Sequence, residues 1–175
     1  MHPHFLFRGL LIILNYNSKT NDMTNDTNKW VIFDLDGTLA LIDERRAFST
    51  KSNGKIDWDK FFAPENVQMD KPNVPVITMA QTLKAQGFNI AIFSGRSIGT
   101  ENATMDWLSQ FNVPFDTITM RPIRDFTPDD KLKSDWFDAK FSNSDVLCVF
   151  DDRNKVVDMW RDKGITCMHV ADGDF

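Results

Sequence analysis

The chain has 175 residues and a mass of 20.2 kDa, which is the length of one ordinary domain. Its 42% hydrophobic and 26% charged residues exclude wholesale disorder, and its eight glycines and seven prolines exclude a fibrous protein. The net charge of −5 excludes an overall basic field for nucleic acid or an anionic membrane, but it is compatible with a local basic pocket. Two cysteines, Cys148 and Cys167, are too few for a disulfide framework and favour buried free thiols in a reducing cytoplasm.

Residues 1–28 differ in composition from the rest of the chain. The apolar run FLFRGLLIIL is about half as long as a membrane-spanning helix, and no small-residue cleavage site follows it. The stretch from Asn15 to Asn28 is rich in Asn, Thr, Ser and Asp, which is typical of a disordered linker. We interpret residues 1–28 as a disordered extension or a misassigned start, with translation beginning at Met23; a membrane-tethering tail is the alternative. We expect His2 and His4 to be inert rather than metal ligands.

From Trp30 onward, segments typical of strands and helices alternate. In chain order they are strand Trp30–Asp34, helix Val76–Gln86, strand Phe88–Phe93, helix Thr100–Phe111, strand Thr117–Met120, helix Asp129–Phe141, strand Asp145–Phe150, a helix marked by Val156, Val157 and Trp160, and strand Ile165–Val170. Continuous apolar strands separated by helices indicate a parallel sheet that is buried on both faces. The sequence therefore predicts an α/β domain over residues 29–175, with a three-layer, Rossmann-like core and a mostly parallel five-stranded sheet.

The segment from about residue 40 to 73 is too long for an ordinary connection between a strand and a helix. Ligands bind at the carboxyl ends of the strands in such sheets, and this insertion begins just there, so we expect it to form a small cap over a ligand site. It contains basic residues and then three large aromatic residues, Trp58, Phe61 and Phe62. These rings either stack a nucleobase or pack the cap onto the body of the domain.

Polar and charged residues follow the ends of the predicted strands. DLDGT at 34–38 follows the first strand, SGR at 94–96 the second and DD at 151–152 the fourth, while Lys133 lies on the helix after the third. Because parallel strands end at one edge of the sheet, these residues are expected to surround one crevice. Crowded carboxylates need a cation, and oxygen ligands alone indicate Mg²⁺. Mg²⁺ beside a lysine and a serine is suited to binding a phosphoryl group.

The spacing of Asp34 and Asp36 allows both side chains to reach the crevice once the backbone turns at Gly37. One carboxylate can attack phosphorus and form an aspartyl-phosphate, while the other protonates the leaving oxygen and then activates water. Because a general acid must carry a proton, we predict a raised pKa for Asp36. A turn or a calcium loop is the structural alternative for a D-x-D pair.

The motifs DLDGTLA, FSGRS, the downstream lysine and FDDR together resemble the haloacid dehalogenase-like phosphohydrolase superfamily. FSGRSIGT, the Lys133 helix and FDDRNKVVDMWRDKGITCMHVADGDF are similar to the 3′-phosphatase domain of bacteriophage polynucleotide kinase-phosphatase and to stand-alone phage proteins built on it. The likeness extends from about Lys29 to Phe175. It implies a Mg²⁺-dependent phosphatase for polynucleotide ends, in the cytoplasm of the host cell if the chain is phage-encoded.

The resemblance also implies roles for individual residues. Asp34 is the nucleophile, Asp36 the general acid and base, and Lys133 neutralises the developing charge. The implied metal ligands are the carboxylates of Asp34, Asp151 and Asp152 and the backbone carbonyl of Asp36. We assign substrate binding to Thr38, Arg45, Ser94, Gly95, Arg96, Arg121 and Arg124.

Some of these roles have alternatives. Lys131 competes with Lys133 for the role of the lysine. Arg121 and Arg124 either grip substrate phosphate or face solvent. Arg153 either turns toward the site or pairs with a nearby acid.

The leading functional hypothesis is a phosphomonoesterase that removes 3′-phosphates from DNA or RNA ends. A nucleotidase or small-molecule phosphatase with the same chemistry is the second hypothesis, and a non-catalytic binding module is the third. No G-x-x-x-x-G-K-[ST] loop occurs in the sequence, so kinase and ligase steps would require separate partners. We expect no membrane partner.

Overall fold

The computed structural model describes residues 28–173, and the predictions for residues 1–27 lie outside the described residues. The elements in chain order are β1 (Trp30–Asp34), β2 (Ala40–Leu41), α1 (Asp43–Ser49), α2 (Trp58–Phe61), β3 (Lys71–Pro72), α3 (Val74–Ala85), β4 (Asn89–Ser97), α4 (Glu101–Gln110), β5 (Thr117–Arg121), α5 (Asp129–Lys140), β6 (Val146–Arg153), α6 (Asn154–Asp162) and β7 (Cys167–Gly173). Short 3₁₀ turns lie at Pro64–Met69, Ile98–Thr100 and Asn143–Asp145. Over residues 28–173, none of the helices has the length and apolar character needed to cross a membrane.

Five strands form one sheet in the order β5-β4-β1-β6-β7, and every neighbouring pair is parallel. After β1 the chain adds β4 and then β5 on one side of it. It then crosses over the sheet and adds β6 and β7 on the other side of β1. The direction of winding therefore reverses between β1 and β6, and ligands bind beside such a reversal in open parallel sheets. The predicted α/β fold with a five-stranded parallel sheet is confirmed.

Alternating residues of β1 are buried against helices on the two faces of the sheet. Val31 and Phe33 belong to a core cluster with Trp107 of α4. Ile32 belongs to a second cluster with Trp160 of α6. Because successive side chains of a strand point to opposite faces, the fully apolar sequence WVIF suits a strand that is covered on both sides. The result is a three-layer domain in which the sheet lies between two helical layers.

Two strands that carry polar motifs, β4 and β6, extend further along the chain than the sequence predicts. Strand β4 continues past Phe93 to Ser97, because its register with β5 shifts between Ser94 and Ser97 and the sheet continues beyond this bulge. Strand β6 likewise includes Asp151 and Asp152. The motifs at 94–96 and 151–152 therefore lie on sheet strands, and the sheet fixes the direction of their side chains, whereas DLDGT continues from the end of β1 into a turn.

The insertion after β1 leaves and re-enters the core through a short antiparallel pair formed by β2 and β3. Between these two strands lie α1, α2 and the 3₁₀ turn, which we call the cap. The cap rests on α4, since Trp107 donates its indole N–H to the carbonyl oxygen of Asp70 at 2.9 Å and Gln68 donates to the carbonyl oxygen of Ala103 at 3.0 Å. These contacts place the cap beside the carboxyl ends of β1 and β4.

Candidate active site

Three buried carboxylates meet where β1 and β6 end. One oxygen atom from each of Asp34, Asp151 and Asp152 lies within 4.8 Å of the others. The Nζ atom of Lys133, from α5, donates to Asp34 Oδ1 at 2.5 Å and to Asp151 Oδ2 at 2.8 Å. Asp34 Oδ2 is buried and has no hydrogen-bond partner within the described part of the chain. A buried oxygen without a donor, beside two further carboxylates, fits a hard divalent cation such as Mg²⁺.

The electrostatics of this group also favour a cation. Burial, together with the neighbouring Asp151 and Asp152, raises the pKa of Asp34 well above its ordinary value, although Lys133 opposes the shift. Burial and Asp151 raise the pKa of Asp152 to about 6. Burial lowers the pKa of Lys133, but Asp151 and Asp34 outweigh burial and raise it. A bound cation would favour the ionised form of each carboxylate.

Gly37 and Thr38 hold Asp152 in place from the turn after β1. Gly37 has a φ of +93°, and a Cβ atom added there would lie 2.0 Å from Asp152 Oδ2. Only glycine therefore fits at this close approach of backbone and carboxylate. The Thr38 hydroxyl donates to Asp152 Oδ1 at 3.3 Å, so in this structure it contacts the carboxylate that the sequence analysis assigns to metal binding.

Asp36 lies in a cluster of two carboxylates and two guanidinium groups. Arg45 donates from Nη2 to Asp36 Oδ1 at 2.7 Å and from Nε to Asp70 Oδ1 at 2.9 Å. Arg96 donates to the same Asp36 oxygen at 2.5 and 2.8 Å, and to Asp70 Oδ2 at 2.7 Å. Both arginines are fully buried. The cap residues Arg45 and Asp70 are thus joined to the core residues Asp36 and Arg96 by charge-assisted hydrogen bonds.

The predicted raised pKa of Asp36 is wrong for this structure. Burial acts to raise the pKa, but the guanidinium groups of Arg96 and Arg45 outweigh it and lower the pKa below its ordinary value. A general acid needs a proton, but in the structure both arginines donate to one oxygen of this carboxylate and favour its ionised form. The described hydrogen bonds of this carboxylate all end on Oδ1, and the side chain lines the pocket described below.

Arg121 contacts the loop that follows β5. Its guanidinium donates to the carbonyl oxygens of Gly95 at 3.0 Å, Asp125 at 3.3 Å and Thr127 at 2.6 Å, and it pairs with Asp129. These contacts brace the loop, and the assignment of Arg121 to substrate phosphate stays a prediction.

The remaining candidates lie on β4, on the loop after β5, at the end of β6 and on α5. Ser94 is buried in β4, where its hydroxyl oxygen accepts the backbone N–H of Arg96 at 3.2 Å. Arg124 is exposed on the loop after β5, and Arg153 pairs with Asp129. On α5, Lys133 is buried against the carboxylates while Lys131 is exposed, and the role of Lys133 stays a prediction.

A pocket of about 790 Å³ opens from these carboxylates. Its floor includes Asp34 and Asp36, and its walls include Trp58 of the cap together with Arg124 and Phe126 of the loop after β5. A volume within the range of roughly 300–1,000 Å³ suits a ligand the size of a nucleotide. Phe61 packs under Arg45, with 4.2 Å from the guanidinium carbon to the ring centre, whereas Trp58 stays half exposed. All three aromatic residues of the cap, Trp58, Phe61 and Phe62, line the pocket, and Phe61 also packs against Arg45.

Two residues of the site are missing from the sequence analysis. Asp70 ends the 3₁₀ turn of the cap, and no motif or periodicity marks it. Asp129 accepts hydrogen bonds from Arg121 and Arg153, and a Cβ atom on Gly95 would lie 3.1 Å from it. A signal for Asp129 did exist, because residues four apart share one face of a helix and Asp129 precedes Lys133 by four.

The Rossmann-like core, with an acidic triad and a lysine at the ends of β1 and β6, fits the haloacid dehalogenase-like phosphatases that the family match identifies. Residues 28–175 match the model of the polynucleotide kinase PNKP phosphatase domain. The chain belongs to that family.

Similar proteins agree with this assignment. Over 135 residues the chain is 34% identical to a protein of Autographa californica nuclear polyhedrosis virus predicted to be a bifunctional polynucleotide kinase/RNA ligase, covering 75% of this chain and 18% of that protein. A chain in the structure of the Pnkp1/Rnl/Hen1 RNA repair complex is 33% identical, with a TM-score of 0.70 over 85% of this chain and 44% of that one. A predicted phosphatase from Clostridium acetobutylicum shares the fold, with a TM-score of 0.65, 14% identity and coverage of 81% and 84%. The chain spans less than half the length of the first two proteins.

Proposed function

We propose that this phosphatase is a Mg²⁺-dependent polynucleotide 3′-phosphatase that acts through an aspartyl-phosphate on Asp34. The observation that carries the proposal is the contact of Asp34 with Lys133 and two further carboxylates at the floor of a nucleotide-sized pocket. A bare phosphate or a small ester does not need a pocket of about 790 Å³. The likeness to a protein predicted to be a polynucleotide kinase/RNA ligase supports a nucleic-acid end as the substrate.

In the first half of the reaction an Asp34 oxygen attacks phosphorus, and the bond from phosphorus to the 3′-oxygen breaks. Asp36 gives a proton to the departing 3′-oxygen from Oδ2, the oxygen that carries none of its described hydrogen bonds; because Arg96 and Arg45 lower the pKa of this carboxyl, Asp36 must take up that proton before the step. In the second half Asp36 takes a proton from water, whose oxygen attacks the aspartyl-phosphate and releases inorganic phosphate. Each cycle therefore consumes one water and returns Asp34 and Asp36 to their starting states.

The other residues hold the phosphoryl group. Lys133 faces the oxygens on which negative charge develops, and the Ser94 hydroxyl is free to donate to a phosphoryl oxygen while its own oxygen accepts from Arg96. Mg²⁺, when bound, would neutralise phosphoryl oxygens and polarise the phosphorus they surround. The residues that would hold it are the carboxylates of Asp34, Asp151 and Asp152 and the backbone carbonyl of Asp36.

We assign the kinase and ligase steps of end repair to proteins or domains outside these 175 residues. The support is that no G-x-x-x-x-G-K-[ST] phosphate loop occurs in the sequence, whereas the viral relative is predicted to combine kinase with ligase.

The test is phosphate release from four substrates in the presence of Mg²⁺: a 3′-phosphorylated oligonucleotide, a 5′-phosphorylated oligonucleotide, nucleoside monophosphates and an aryl phosphate. The parent protein is expected to prefer the 3′-phosphorylated end, and Asp34→Asn is expected to release nothing. Asp106→Asn, an exposed carboxylate on α4, is the matched control and is expected to keep parent rates. Preference for mononucleotides would transfer the assignment to a nucleotidase.

Two further arms test the cofactor and the intermediate. Removal of divalent cations with a chelator is expected to abolish release, and Mg²⁺ is expected to restore it. Quenching a reaction with labelled 3′-phosphate is expected to leave base-labile label on the parent protein but none on Asp34→Asn. Full turnover without divalent cation, or label on the variant, would contradict the proposal.

A further inference from the structure

The loop 122–128, which connects β5 to α5, presents an aromatic ring and a cation at the wall of the active-site pocket. Phe126 is 90% exposed and Arg124 is also exposed, and both line the same pocket as Asp34. An isolated exposed phenylalanine needs no explanation, but one that lines a catalytic pocket beside an arginine offers a surface for a ligand.

The loop is held in shape by its own hydrogen bonds. Arg121 donates to the carbonyl oxygens of Asp125 and Thr127, at 3.3 and 2.6 Å, on either side of Phe126. The Asp125 carboxylate accepts the backbone N–H of Thr127 at 2.8 Å. The backbone N–H of Asp125 donates to the carbonyl oxygen of Pro122 at 3.2 Å. The ring is therefore presented by a braced loop, which lowers the entropy lost when a flat ligand stacks on it.

Arg124 supplies the charge. Its φ of +63° lies in the left-handed region, which is uncommon for a residue with a side chain of this size. Within residues 28–173 its guanidinium has no described hydrogen bond or ion pair. The cations nearer the catalytic carboxylates are already paired: Arg45 and Arg96 with Asp36 and Asp70, and Lys133 with Asp34. Arg124 is thus available for an additional phosphate.

A ring and an unpaired guanidinium on one wall match a nucleobase and a backbone phosphate. Aromatic side chains bind bases without sequence preference, because every base has a π-face, and cations follow the sugar-phosphate backbone. A phosphate ester without a base has no ring to stack on Phe126. A mononucleotide has no second phosphate for Arg124 to contact.

We propose that the loop 122–128 binds the strand next to the phosphorylated end, with Phe126 stacking a base of the last two nucleotides and Arg124 contacting the internucleotide phosphate. The proposal rests on the proposed function, because it names the feature by which a 3′-phosphatase would prefer a polynucleotide to a mononucleotide. The occupant is a single strand, since the faces of a base within a duplex are covered by the bases stacked above and below it.

The test compares 3′-phosphorylated oligonucleotides that differ in a single base. One has all its bases, and two others lack the base of the terminal or the penultimate nucleotide. For the parent protein, kcat/KM is expected to fall on the order of tenfold when the stacked base is missing. For Phe126→Ala, kcat/KM on the complete oligonucleotide is expected to fall by a similar factor, and removal of that base is expected to have no further effect.

Ile123→Ala is the matched control, because Ile123 is an exposed apolar residue of the same loop that does not line the pocket. For this variant, as for the parent protein, kcat/KM is expected to fall when the stacked base is missing. For Arg124→Ala, the slope of log(kcat/KM) against log salt concentration is expected to become less steep by about 0.7, the value for one phosphate contact to a single strand.

Each outcome bears on a separate statement. If Phe126→Ala still loses activity when the base is removed, or if the parent protein shows no effect of either base, the loop does not bind the strand. Such a result with intact release from the 3′-phosphorylated end overturns only this proposal. If the parent protein hydrolyses the aryl phosphate but no 3′-phosphorylated oligonucleotide, the proposed function and this inference are both wrong.

Discussion

Replacing Arg45 by methionine removes one cation from the buried cluster and keeps a side chain of similar length over Phe61. Arg45 is fully buried and donates to Asp36 at 2.7 Å and to Asp70 at 2.9 Å. Removing one partner of a buried ion pair costs about 3–5 kcal/mol, because the opposite charge stays buried. In a domain of this size about 1 kcal/mol lowers Tm by roughly 2–4 °C, so Arg45→Met is expected to lower Tm by on the order of 10 °C.

The cost is expected to depend on pH through Asp70. Burial and the neighbouring Asp36 raise the pKa of Asp70 to about 7, while Arg45 and Arg96 oppose the shift. Loss of Arg45 therefore raises this pKa further. Between pH 7 and the higher pKa of Asp70 in the variant, Asp70 of the folded variant is still protonated. In the folded parent and in both unfolded chains, Asp70 is ionised over this range. The variant then loses stability as pH rises, by up to about 1.4 kcal/mol per pH unit, whereas the parent does not. Below pH 7 both native proteins hold the proton, and the contribution of Asp70 to the difference is constant.

Urea unfolding at about pH 6 and about pH 8.5 measures both effects, since urea leaves ionic interactions unscreened. The control is Arg46→Met, which changes an exposed arginine one position further along α1 and is expected to alter the free energy of unfolding by less than about 0.5 kcal/mol. A variant as stable as the control at both pH values would refute the claim that the cluster joins the cap to the core. Equal destabilisation at both pH values would refute the role of Asp70.

Three further predictions concern residues that support the site. Gly37→Ala is expected to displace Asp152 and abolish phosphate release, whereas Gly54→Ala, at a φ of +79° with nothing within 4 Å, is expected to keep it. Thr38→Val removes the hydrogen bond to Asp152 and is expected to raise the Mg²⁺ concentration for half-maximal release by about tenfold, measured by titration. Trp107→Phe leaves the buried Asp70 carbonyl without its donor and is expected to lower the free energy of unfolding by about 1–3 kcal/mol in urea. Parent behaviour in any of these measurements would contradict the corresponding contact.

The strands and their order along the chain are the part of this fold that the sequence predicts well. A run such as WVIF has no polar face, so it indicates a strand buried on both sides, and a parallel sheet brings the ends of such strands together. The meeting of Asp34 with Asp151 and Asp152 follows from that topology alone. The sequence does not predict how far β4 and β6 continue past Phe93 and Phe150, because the residues that extend them are polar and the apolar pattern of a buried strand has ended.

The partners of the polar residues depend on the tertiary structure. The sequence predicts a proton on Asp36. In the structure, Arg45 of the cap and Arg96 of β4 both pair with Asp36 Oδ1, and no local segment encodes this pairing. Asp70 is one of several acidic residues in an irregular segment, and only the path of the cap makes it a bridge between the two arginines.

The distribution of paired charges explains how an acidic chain can bind a phosphate ester. Arg45 and Arg96 balance Asp36 and Asp70 when Asp70 is ionised, so above the pKa of Asp70, about 7, that cluster contributes almost no net charge. At Asp34, Asp151 and Asp152, by contrast, Lys133 is one positive charge against three carboxylates, which would carry two negative charges in excess when all are ionised and which a divalent cation would neutralise. With that cation bound, the floor of the pocket no longer repels the phosphate. If the substrate is a polynucleotide end, as proposed, the exposed Arg124 at the wall of the pocket is placed to attract the rest of the strand.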